Sequence, residues 1–126
     1  MIDYTIETKL TVSDAVNKLQ TKLAENNFSV MHIYNLKDIF TSKGIEFGEY
    51  QILSVCNAKF AKQALDINLK LGQLLPCKIS VYTEKGKTKI SLQRPTQLAG
   101  LLEDEQVEPI AKNVEEILVK AIDSIL

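Results

Sequence analysis

The order of apolar patterns along the chain predicts an α+β fold. It is a two-layer, five-stranded mixed sheet with helices on one face, in the order β-α-β-β-α-β-β-α. Three observations carry this. Several short runs alternate apolar and polar side chains, the period of a half-buried strand. Three other segments repeat apolar residues at spacings of three and four, the period of a helix packed on one side. Helical segments and pairs of strands follow one another, which reads as two crossover units, each followed by a hairpin.

The elements follow in order. Tyr4 to Lys9 alternates and is rich in Thr and Ile, which suits a short strand. Ser13, with Thr11 two places earlier and Asp14 just after it, supplies a helix start, and Val12, Val16, Leu19 and Leu23 then share a face. Asn26-Asn27 ends that helix, because Asn tolerates the left-handed backbone that stops one. Phe28 to Tyr34 is a strand, with Val30, His32 and Tyr34 on one side and Met31 and Ile33 on the other. Asn35 caps a short helix over Leu36 to Ser42 that Gly44 terminates, and Tyr50 to Cys56 is the next strand.

Asn57 caps a helix whose Phe60, Ala61, Ala64 and Leu65 share a face, and Gly72 and Pro76 bracket its exit loop. Cys77, Ile79 and Val81 alternate with Lys78, Ser80 and Tyr82. Glu84-Lys85-Gly86-Lys87 is a hairpin turn, and Thr88, Ile90 and Leu92 alternate on the return. Arg94-Pro95 ends that strand, since Pro cannot donate to a ladder. In the last helix Glu103, Asp104, Glu105 and Glu108 place negative charge at the start and Pro109 sits in the first turn. Ile110, Val114, Ile117, Leu118, Ala121, Ile122 and Ile125 form its apolar stripe.

With 126 residues the chain has room for one domain and one core. Apolar residues at 45% and charged residues at 25% mark a globular protein, and a net charge of −1 gives no field to gather nucleic acid or an anionic membrane surface. There is no apolar run of the ~18 residues that spanning a bilayer takes, and no signal peptide precedes Asp3-Tyr4. Two cysteines without an export signal predict reduced thiols in a cytoplasm.

Candidate site residues cluster at strand ends. Cys56 closes one apolar run just before Asn57 and its helix; Cys77 opens the next. A thiolate needs a lowered pKa to act as a nucleophile, and a helix N-terminus is one way to supply it. Against that stands the ordinary behaviour of cysteine as a small buried hydrophobe. An ordinary crossover helix of about 12 residues would also hold the two strand ends on the order of 18 Å apart. Arg94 is the sole arginine, and its guanidinium is suited to an anionic ligand or to pairing with Glu103 or Asp104. His32, the sole histidine, reads as a packed side chain, since one histidine makes a poor metal site. No phosphate loop, nucleophile elbow or zinc-protease motif occurs, so no cofactor and no metal is expected.

The runs Cys56-Asn57-Ala58-Lys59-Phe60-Ala61, Leu74-Leu75-Pro76-Cys77, Val81-Tyr82 and Arg94-Pro95-Thr96, with Lys43-Gly44-Ile45-Glu46-Phe47 between strands, resemble the DUF302 family of small bacterial and archaeal proteins. The likeness covers nearly the whole chain. It implies a single DUF302-like domain over residues 1–126, an α+β fold with the same order of elements, and a homodimer. It implies no particular reaction. A sheet face left without helices is a candidate dimer surface, the alternative being that the long loops fold over it.

The sequence therefore predicts a binding domain, with enzymatic activity left open. Its expected ligand is small and anionic or thiol-bearing, or else a protein partner, held at a rim made by Cys56, Asn57, Cys77 and Arg94. The alternative is a thiol-active protein that carries sulfur or undergoes reversible oxidation through Cys56 or Cys77. Neither nucleic acid nor membrane is expected as a partner.

Overall fold

The computed structural model describes residues 1–102 and 104–126. Glu103, expected at the start of the last helix and as a partner for Arg94, lies outside the described residues. Along the chain run β1 (Asp3–Thr8), α1 (Val12–Glu25), β2 (Ser29–Asn35), α2 (Leu36–Ser42), β3 (Tyr50–Cys56), α3 (Ala58–Ile67), a 3₁₀ turn (Leu69–Leu74), β4 (Cys77–Glu84), β5 (Lys87–Gln93), α4 (Pro95–Gly100) and α5 (Glu108–Asp123).

Side-chain caps set the helix starts. Thr11 Oγ1 accepts from the Asp14 amide at α1, Asn35 Oδ1 from Asp38 at α2, and Asn57 Oδ1 from Phe60 at α3. Asn27, at φ 63°, turns the chain out of α1. Lys85 and Gly86, at φ 52° and 78°, make the two-residue turn whose twist matches the β4–β5 hairpin, and glycine takes the second position without steric cost. The last helix begins at Glu108, later than the acidic run suggests: Asp104 instead accepts from the Gln106 amide in the preceding turn.

The five strands form one sheet in the order β1-β5-β4-β3-β2, and every neighbouring pair is antiparallel. The α+β, two-layer, five-stranded expectation holds; the mixed sheet does not. Only β1-α1-β2 is a crossover, and it spans the whole sheet from one edge to the other. The second helical insert does not cross. Asn68 ends α3 and caps the 3₁₀ turn through the Lys70 amide, so the chain doubles back and re-enters the sheet beside the strand it left.

Helices α1 and α5 cover one face. Leu19, Leu23, Leu118 and Ile122 pack against Leu53, Val55, Ile79, Val81, Ile90 and Leu92, all fully buried. A second, smaller apolar cluster lies beyond the strand ends, where Ala64, Leu71, Ala99, Val107 and Ala111 meet. On the helix-free face Tyr50 and Tyr82 stack with ring centroids 4.9 Å apart, in the same row as the Glu7–Lys89 ion pair. The next row is Tyr34, Ile52, Ser80, Ser91 and Thr5.

A bulge between Val30 and His32 changes the expected parity of β2. Val30 lies opposite Val55 and Ile33 opposite Leu53, on the helix face; His32 and Tyr34 lie opposite Ser54 and Ile52, on the other. The extra residue, Met31, is 65% exposed.

The two faces respond differently to truncation. Leu53→Ala is expected to destabilise the fold by about 2–5 kcal/mol, because it opens a cavity in the sealed layer. Ser80→Ala, on the helix-free face, is expected to stay within about 0.5 kcal/mol of wild type. Urea denaturation of the two variants measures both values.

Candidate functional site

The antiparallel return places four chain segments at one end of the sheet: the end of β3 at Cys56, the start of β4 at Cys77, the end of β5 at Gln93 and the start of α4 at Pro95. Between them lies a cavity of about 70 Å³, where the main core and the smaller cluster meet. Phe28, Val55, Phe60, Ile110 and Val114 face it from the core side. Ala61, Ala64, Leu71, Leu74, Leu98, Ala99, Val107 and Ala111 face it from the other. Its polar lining is limited to Cys56, Asn57, Cys77 and Gln93, and among the described residues no charged side chain lines it.

Three of the four predicted site residues therefore share this cavity. Cys56 and Cys77 are both free thiols and do not form a close pair. Strand alternation explains this: Cys77 lies opposite Val55 and shares its side of the sheet, and Cys56 is one step further on. Burial pushes the Cys77 thiol up to about 11, with a smaller push from neighbouring Cys56. Burial also raises Cys56. The lowered pKa expected from the α3 N-terminus is thus not what the fold produces, because desolvation of the thiolate prevails. Asn57 is occupied within the protein: besides capping α3, its Nδ2 donates to the Asn27 carbonyl. That bond ties the rim to the end of α1.

Arg94 stands apart from the cavity. Its Nε donates to Glu115 Oε2 at 3.2 Å and its Nη1 to the Met1 carbonyl at 3.1 Å. The acid it pairs with is Glu115 of α5, not Asp104. Glu115 Oε1 also accepts from the Thr96 amide at 3.0 Å and the Thr96 hydroxyl at 2.6 Å. Burial works to raise the Glu115 pKa, yet the bonds from Thr96 and Arg94 together outweigh it and hold the carboxyl below its ordinary value. His32 is exposed and packs edge-on against Tyr34 at 4.3 Å. Among the described residues no group of three or more His, Cys, Asp or Glu side chains could hold a metal ion. None of their helices is long and apolar enough to cross a membrane.

Helix α4 brings Pro95, Leu98 and Ala99 to the cavity, and sequence reading treated Pro95 only as a strand terminator. The missed signal was Pro95 followed by Thr-Gln-Leu-Ala, because proline is also well suited to the first position of a helix.

The chain belongs to the DUF302 family: the family model, described as a domain of unknown function, matches residues 4–125. It is similar to a solved structure of an uncharacterized conserved DUF302 protein from Bacillus stearothermophilus. That protein is 32% identical, with a TM-score of 0.96 over 100% of this chain and 99% of the other. No curated protein matches it.

Folding holds the Cys77 proton more tightly than the unfolded chain does. The resulting stabilisation is complete below the ordinary thiol value of 9.0 and is lost as pH rises toward about 11. Cys77→Val should therefore lose less stability than wild type across that window, by up to about 2–3 kcal/mol. Urea midpoints measured at a series of alkaline pH values give the comparison, and parallel curves would refute it.

Proposed function

We propose that this DUF302 domain is a non-catalytic binding module. It takes a small uncharged, apolar molecule, or the apolar end of a larger one, into the cavity at the strand ends. One observation carries the reading: a cavity whose lining is aliphatic and aromatic apart from two protonated thiols and two amide side chains. Apolar walls of this kind favour apolar guests. An anionic guest is disfavoured, since the cavity offers it no cation and the nearby guanidinium of Arg94 already serves Glu115 and Met1. The thiol-active alternative draws less support, because thiols held above their ordinary pKa carry little thiolate at neutral pH.

A volume of about 70 Å³ suits a single heavy atom such as xenon. In xenon-pressurised samples the methyl resonances of Leu71, Leu74 and Leu98 should shift with saturation, while those of Ile6 and Val119 stay still. Ala64→Leu places extra carbons in the same space and should abolish the shifts. It should also stay within about 1 kcal/mol of wild-type stability, where overpacking a filled site costs about 1–3 kcal/mol. Absence of any xenon response, or a response unchanged in Ala64→Leu, refutes the cavity reading.

The homodimer is proposed on the helix-free face, where Tyr34 is 45% exposed in the row next to the Tyr50–Tyr82 stack. Sedimentation should give twice the chain mass, and Tyr34→Glu should return it to the monomer mass. A wild-type monomer at all accessible concentrations argues against the pairing.

A further inference from the structure

We infer that α4 is the movable wall of this cavity and that Glu115 is the latch holding it narrow, a proposal that rests on the binding reading above. The cavity at rest is too small for an organic guest. Its volume of about 70 Å³ is roughly that of two waters in the liquid, whereas a benzene-binding cavity runs to about 150 Å³. Any such ligand has to push a wall outward.

The walls differ in how they are fixed. The sheet ends and α5 are continuous with the sealed main core. Helix α4 is six residues long and brings Pro95, Leu98 and Ala99 to the cavity. It also has no cap of its own: Arg94, at the capping position, makes no side-chain bond to the helix start. Glu115 supplies that cap from across the interface, accepting from the Thr96 amide and hydroxyl while it pairs with Arg94. A short helix whose first free amide is satisfied only by another element depends on that element for its position. Loss of the carboxylate removes the acceptor for both Thr96 groups and the partner of Arg94 in one step. The Arg94–Glu115–Thr96 cluster is therefore a positioning device for the cavity wall.

Hydrogen exchange and benzene binding, measured on wild type, Glu115→Ala and Glu115→Gln, test this. In Glu115→Ala the amides of Gln97, Leu98, Leu101 and Leu102 should exchange roughly tenfold faster or more, with those of Leu53 and Val81 unchanged. Benzene should enter and leave the same variant several-fold faster than wild type, followed by line broadening of the Leu98 methyls. Glu115→Gln keeps an oxygen for Thr96 and should restore both rates most of the way. If Glu115→Ala proves too unstable to study, Thr96→Val removes the hydroxyl bond alone and should show the same changes in smaller measure. Unchanged exchange in α4 overturns the latch. Equal benzene kinetics in wild type and variant, with faster α4 exchange, overturns the gate and leaves the cavity reading intact. Failure of benzene to bind any form while xenon binds wild type also overturns the gate; failure of both probes overturns the cavity reading itself.

Discussion

Antiparallel pairing of β3 with β4, with Val55 opposite Cys77, is the constraint from which the rest of the molecule follows. A chain that leaves the sheet at Cys56 and returns beside the strand it left cannot lay the intervening helix along the sheet. It has to stack α3 and the 3₁₀ turn beyond the strand ends. The β4–β5 hairpin then reverses direction once more and sends Gln93 and α4 to the same end. One end of the sheet thus carries a cap built from three short pieces, and α5 runs beneath both the cap and the main layer.

The join between cap and layer is incompletely packed. The main layer is sealed by leucine, isoleucine and valine, which fill the space between α1, α5 and the sheet. The cap is built partly on Ala64, Ala99 and Ala111, whose small side chains reach less far across the gap. The polar groups around it are turned to internal work. Asn57 joins α3 to the end of α1, and Glu115 joins α4 to Arg94. What faces the empty space is consequently mostly apolar, with Gln93 at its edge, and its two thiols are kept neutral by burial.

Much of this architecture is legible in the residues. The caps Asn35 and Asn57, the Lys85-Gly86 turn and the bounds of β3 follow from local rules, because each depends on atoms close in sequence; at α1 the cap is Thr11 and not the expected Ser13. The sheet's direction does not. A helix-length insert between strands usually means a crossover, and only the doubling back at Asn68 cancels that expectation. The face assignments in β2 fail for a similar reason: one extra residue at Met31 moves its neighbours to the other side, and no residue type announces a bulge. At the site, three of the four residues singled out do share a cavity. Arg94 does not line it, since its partner is 21 positions away on α5 and pairing over such distances leaves no mark in the local pattern.

The crossover from β1 to β2 has a consequence for how the chain is made. Strand β1 pairs only with β5, so its partner is about 80 residues behind it during synthesis. As the nascent chain leaves the ribosome, β1 emerges long before its partner, whereas α1 is followed at once by β2, one of the strands it packs on. The β2–β3 and β4–β5 ribbons form from neighbouring segments in the meantime. Sheet closure at the β1 edge is accordingly a late event in biogenesis, and until then the backbone groups of β1 have no strand partner.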